Sequence, residues 1–142
     1  NYSMQLGIVD PGGNVRSYSD AQQTITIPSR ARRATLRFWL YAMSADPRPV
    51  STPLPRPSLH GKRGGYPAHD SQYVLLLDAR DRWIDTILWQ CTDDRAWIPY
   101  AFDLGPYAGR TVKLQFGVYN DGLGGVTVMY LDEVSVTVCS VE

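Results

Sequence analysis

Hydrophobic and polar positions alternate along most of this chain. Near the C-terminus Val112, Leu114, Phe116 and Val118 take turns with Lys113, Gln115, Gly117 and Tyr119. That two-residue period marks a strand with one buried face. Asn120-Asp121-Gly122 stops the run, and Gly124-Gly125 adds further positions open to positive φ. Val126, Val128 and Tyr130 resume the alternation, and Val134, Val136 and Val138 continue it. The acidic pair Asp132-Glu133 falls between these last two runs and predicts a polar break between strands.

The same pattern recurs upstream. Met4 to Val9 is a short apolar run ended by Asp10-Pro11-Gly12-Gly13. Thr24 to Ile27 is β-branched and stops at Pro28, which cannot donate to a ladder. Arg30, Arg32 and Arg33 suggest a solvated basic turn. In Ala34 to Met43, Leu36, Phe38 and Leu40 share one face, and Arg37, Trp39 and Tyr41 share the other. Large side chains on both faces predict a central strand. Gln72 to Asp78, Trp83 to Gln90 and Ala96 to Leu104 follow, separated by polar turns. No three-turn helical period interrupts them. About nine strands at this spacing predict an all-β sandwich, forming one domain over 1–142.

One segment departs from this rhythm. Residues 44–70 carry Pro47, Pro49, Pro53, Pro55, Pro57 and Pro67, with Arg48, Arg56, Lys62 and Arg63. The segment is expected to be an insertion, because a loop of this length inside a domain is uncommon.

Composition narrows the function classes. Lys plus Arg and Asp plus Glu each number 14, for a formal net charge of zero. No electrostatic case for nucleic acid follows. No apolar run approaches the ~20 residues of a membrane helix. No charged-then-apolar leader opens at Asn1, so any signal peptide is expected to have been removed or to lie outside this sequence. Cys91 and Cys139 fit no metal spacing. They suit either one disulfide in an oxidising compartment or two free thiols, and the disulfide is the reading carried forward.

The stretch from Trp97 onward resembles a known group. Trp97, Phe102-Asp103-Leu104, Tyr107-Ala108-Gly109, Thr111 to Phe116 and Tyr130-Leu131-Asp132-Glu133-Val134 carry the likeness, with Gln23 to Pro28 and Ala34 to Trp39. Together they resemble bacterial extracellular jelly-roll modules, similar to MAM-like domains, galactose-binding-like domains and carbohydrate-binding modules. The resemblance spans most of the chain outside 44–70. It implies an all-β jelly-roll sandwich of two antiparallel sheets, an extracellular or cell-surface setting and one structural calcium ion. Asp132 matches the position of the family's calcium aspartate, and its N-terminal partner would come from among the oxygen donors Asp10, Asn14 and Asp20. The alternative for Asp132 is a hydrogen bond to backbone where strands cross.

Catalytic constellations are missing from the sequence. His60 and His69 both lie in the Pro-rich segment, and HExxH, GxSxG and phosphate-cradling loops do not occur. Asp93-Asp94 and Asp132-Glu133 are adjacent pairs, and neighbours on a regular strand point to opposite faces. The chain is therefore expected not to be an enzyme. Aromatic residues offer more. Trp39 and Tyr41 share a face with Arg37, and Tyr119 shares one with Lys113 and Gln115. If the two strands are neighbours, these six residues form a sugar-stacking face. The leading expectation is a non-catalytic carbohydrate-binding or adhesion-type module with a glycan as partner. The alternative is a self-assembling structural subunit or spacer, a homo-oligomer of surface-layer or fibre type, touching its copies through Met4 to Val9 and the insertion.

Overall fold

The computed structural model describes residues 2–47 and 69–140. The expected insertion lies mostly outside the described residues. Eight strands form in chain order: β1 (Met4–Gly7), β2 (Arg16–Thr26), β3 (Ala31–Ser44), β4 (Ser71–Asp78), β5 (Trp83–Gln90), β6 (Trp97–Asp103), β7 (Thr111–Asp121) and β8 (Thr127–Ser140). Two 3₁₀ turns, Pro11–Gly13 and Gly105–Tyr107, are the helical elements among the described residues.

The strands pair into two four-stranded antiparallel sheets. The first runs β1-β8-β3-β6 and the second β2-β7-β4-β5. Every strand except β5 thus lies in the opposite sheet from the one before it, which is the connectivity of a jelly roll. The sandwich expected from the alternation is the fold observed.

Alternation also fills the core. Leu36, Phe38 and Leu40 of β3 face inward with Leu114, Phe116, Val74 and Leu76 from the opposite sheet. The Phe38 ring meets Phe116 edge-on at 5.4 Å between centroids, across the two sheets. β4 is buried along both faces, as its near-continuous apolar run predicts. Tyr73, Leu75 and Leu77 leave the main core and form a second cluster with Trp89 and Tyr119 on the outer side. Tyr73 lies directly over Gly117, where any Cβ would collide with its ring.

Two strand boundaries differ from the expectation. Arg32 and Arg33 belong to β3 rather than to a turn. Asp132-Glu133 does not separate two strands, because β8 passes straight through it. Trp39 pairs with Asp132 and Arg37 with Ser135, so Glu133 and Val134 together oppose Phe38. This is a β-bulge, with Glu133 at φ 50°. The extra residue reverses the phase of the strand. Met129 and Leu131 point into the core before it, and Val136 and Val138 pack there after it. Tyr130, grouped by its alternation with Val126 and Val128, faces outward and packs on Tyr41.

The expected disulfide does not form. Both cysteines are free, Cys91 buried and Cys139 exposed. Cys91 Sγ lies 4.0 Å from Thr127 Oγ1, at the start of β8. Cys139 is near the far end of that strand, paired with Arg33. At ~3.3 Å per residue the length of β8 separates them by tens of ångströms, far beyond disulfide reach.

A polar layer closes the end of the sandwich where β3 ends and β4 and β8 begin. Fully buried Gln72 donates from Nε2 to the carbonyls of Met43, Thr92 and Val128 and accepts from the Thr92 amide. Asp70, also fully buried, accepts from the Asp121 amide and from the Thr127 hydroxyl, both at 2.7 Å. The Asn120 side chain exchanges two bonds with the backbone of Thr127. Asp46, Asp70 and Asp121 bring carboxylate oxygens within 4.8 Å of one another here. Burial, with the charges of Asp121 and Asp46 adding to it, outweighs the two hydrogen bonds and pushes the Asp70 carboxyl up from 3.8 to about 6.

Two outcomes follow. In the native protein a thiol reagent should modify Cys139 quickly and Cys91 only on unfolding. Mass spectrometry without reductant should find no cross-link, and a Cys91–Cys139 peptide would contradict the placement. For Asp70, the folded state holds its proton more tightly than the unfolded chain. Its contribution to stability is therefore fullest below the unfolded value of 3.8 and falls as pH rises to about 6. The loss is on the order of 2–3 kcal/mol. Asp70→Asn mimics the protonated acid and should flatten that part of the urea-stability profile. A slope unchanged by Asp70→Asn would contradict the assignment.

Candidate functional site

The bulge in β8 and the antiparallel pairing of β3 with β6 shape the outer face of the first sheet. On β3 the outward residues are Arg37, Trp39 and Tyr41, opposite Ala101, Pro99 and Trp97 of β6. On the other side of β3, Tyr130 pairs with Tyr41 and Asp132 with Trp39. Tyr41 sits between Trp97, at 5.6 Å between ring centroids, and Tyr130, at 6.2 Å. It props both rings from the middle strand. Trp39 and Trp97 remain 38% and 42% exposed, an unusual state for two large rings on one sheet face.

A shallow cleft follows these rings in two compartments. The larger holds about 470 Å³ and is lined by Arg37, Trp39, Pro99, Ala101, Glu133 and Ser135, with Phe38 and Tyr100 beneath. The smaller holds about 290 Å³ and is lined by Trp39, Trp97, Asp132 and Glu133. Trp39 and Glu133 therefore border both. On a regular strand Asp132 and Glu133 would point to opposite faces. The bulge removes that constraint and sets both against the smaller compartment. Asp132 Oδ1 accepts the Glu133 amide at 2.8 Å, which steadies the left-handed turn at Glu133.

The six residues expected to form one sugar-binding face are divided between two sheets. Arg37, Trp39 and Tyr41 lie on the first, as described. Lys113, Gln115 and Tyr119 lie on β7, in the middle of the second. β3 and β7 are not neighbours, so no common face exists. Lys113 forms an ion pair with Asp81 at 2.7 Å. Gln115 is buried and donates to Asp20, and Tyr119 is buried against Tyr18.

The expected calcium ligands do not converge either. Asp10 caps the Pro11–Gly13 turn through the Gly12 amide. Asn14 donates to the carbonyls of Gly124 and Gly125. Asp20 is held by Gln115 on the second sheet, and Asp132 belongs to the bulge on the first. This set does not fit a shared cation. Asp132 instead takes its alternative role, a hydrogen bond to backbone within β8. The carboxylates that do meet are Asp46, Asp70 and Asp121.

Trp97, Tyr130 and Glu133 escaped the sequence reading of the site. Trp97 was visible as an aromatic strand residue, but its place beside Tyr41 depends on the β3–β6 register. Glu133 required the bulge.

Comparison with known proteins adds to the fold. No protein-family model matches the chain, and no curated protein matches it. Among solved structures, the enzymatically active domain of bacteriophage CBA120 tailspike protein 4 superposes at a TM-score of 0.52 and 14% identity. The match takes in 96% of this chain and 15% of that one, so the chain spans a small part of that protein. A CBM4 structure matches at a TM-score of 0.42 and 12% identity, over 96% of this chain and 83% of that one. At these identities the tailspike likeness is one of fold, a β-sandwich shared over nearly the whole chain.

Proposed function

We propose that the protein is a non-catalytic glycan-binding module, and that the outer face of its first sheet is where the glycan lies. The observation that carries this reading is the pair of exposed indoles, Trp39 and Trp97, flanking a cleft with carboxylates along one border. Pyranose rings present apolar C–H faces that stack on aromatic rings, and carboxylates accept bonds from adjacent hydroxyls. Tyr41 braces Trp97 from the side, so little ordering of that ring is needed on binding. The openness of the cleft suits a chain passing across it rather than a small molecule enclosed in it.

The non-catalytic part rests on where the carboxylates stand. Glycoside hydrolysis places two carboxyl groups on either side of the scissile bond. Asp132 and Glu133 are consecutive residues of one bulge and border the cleft from the same strand. An extracellular setting is part of the proposal and draws on the resemblance to extracellular jelly-roll modules, since the free thiols supply no disulfide to support it.

Trp39→Ala is the direct test. Trp39 is partly exposed and outside the main core, so its removal should lower the melting temperature little. Glycan-array or calorimetric binding should fall by tenfold or more, on the order of 1.4 kcal/mol or above. An unchanged affinity would contradict this location of the site. A protein that binds no glycan but self-associates at low concentration would favour a structural subunit instead.

A further inference from the structure

The two compartments of the cleft differ in charge. The smaller one is bounded by Trp39, Trp97, Asp132 and Glu133, and no basic residue among the described residues lines it. The larger contains Arg37, on the far side of Trp39. Trp39 thus divides a compartment with two carboxylates from one in which Arg37 accompanies Glu133. Neutral sugars need hydroxyl acceptors, but they do not need two carboxylates beside two indoles. That combination matches a positively charged group more closely. An ammonium gains from the negative face of an indole ring, and more when a carboxylate lies within reach.

The bulge makes the arrangement possible. Without it, one carboxylate of the pair would point into the core, where an unpaired charge is strongly disfavoured. With it, both reach the border of the same 290 Å³ compartment. The left-handed turn at Glu133 is a conformation that a non-glycine residue adopts only at a cost in free energy. A glycine there would avoid the cost and would also remove the side chain.

We propose that the smaller compartment selects an amine-bearing sugar, a hexosamine unit whose nitrogen is unacetylated and protonated, within an oligosaccharide that crosses Trp39. The proposal rests on the glycan-binding reading above and narrows it to a class of ligand. The ammonium lies between the Trp39 and Trp97 rings and against Asp132 and Glu133. Acetylation of the nitrogen removes the charge and adds bulk, so the acetylated sugar loses both contributions.

The test is calorimetry with the whole chain at mildly acidic pH, where the sugar amine is charged. Four oligosaccharides of equal length serve as probes: a glucosamine oligomer, its N-acetylated counterpart, a neutral glucose oligomer and a uronic acid oligomer. The glucosamine oligomer should bind about tenfold more tightly than the acetylated and neutral forms. That advantage should shrink to about threefold or less in Glu133→Gln and in Asp132→Asn, and with rising salt. Both variants keep the shape of the side chain, and circular dichroism and melting confirm their fold. Equal binding of the amine, acetylated and neutral oligomers, unchanged by either variant, would overturn the amine preference and leave glycan binding intact. Tightest binding of the uronic acid oligomer, lost in Arg37→Ala, would overturn it in favour of the compartment that holds Arg37. Failure of every oligomer to bind would overturn both readings.

Discussion

One extra residue in β8 governs the shape of the outer face. Between the pairs Trp39–Asp132 and Arg37–Ser135, β3 contributes one residue and β8 two. Because the side-chain period of a strand is two, the insertion reverses which positions face the core. Met129 and Leu131 are inward on one side, Val136 and Val138 on the other, and the acidic pair between them is spared burial. The cost is the left-handed backbone at Glu133, offset in part by the hydrogen bond from its amide to Asp132. The core is satisfied on both sides of the bulge, and the cleft gains two carboxylates.

The opposite constraint operates at the polar end of the sandwich. There the chain places Gln72 and Asp70 out of water and supplies hydrogen-bond partners from several strands. Buried polar groups that are fully bonded specify one arrangement, since any slip leaves a donor or acceptor unpaired. This layer fixes where β3 ends and where β4 and β8 begin. The register of β3 against β8 follows from it, and so does the position of Trp39 beside Asp132. The platform is thus held by groups at a distance as well as by Tyr41 beside Trp97.

The strands and the sandwich were legible because alternation reports burial directly. Leu36, Phe38 and Leu40 face the core as their spacing indicates, and β4 is buried on both faces as its apolar run indicates. The site was legible in part. Arg37, Trp39 and Tyr41 could be placed on one face of β3 from local spacing alone. Their grouping with Lys113, Gln115 and Tyr119 failed because neighbouring in a jelly roll is set by long-range pairing, which local periodicity does not encode. Asp132-Glu133 looked like a turn because bulges and turns both interrupt alternation with polar residues. Only the continuous pairing of β8 with β3 distinguishes them. The trio Asp46, Asp70 and Asp121 comes from three separate parts of the chain and left no pattern to read.

The four indole N–H signals offer the most direct check on the location of the site. Trp39 and Trp97 border the cleft, Trp89 is buried in the second cluster, and the Trp83 indole is bonded to Thr86 on the second sheet. Titration of ¹⁵N-labelled protein with a bound oligosaccharide should shift the Trp39 and Trp97 indole resonances together and leave those of Trp83 and Trp89 in place. Movement of Trp83 or Trp89 with Trp39 and Trp97 unmoved would contradict the account.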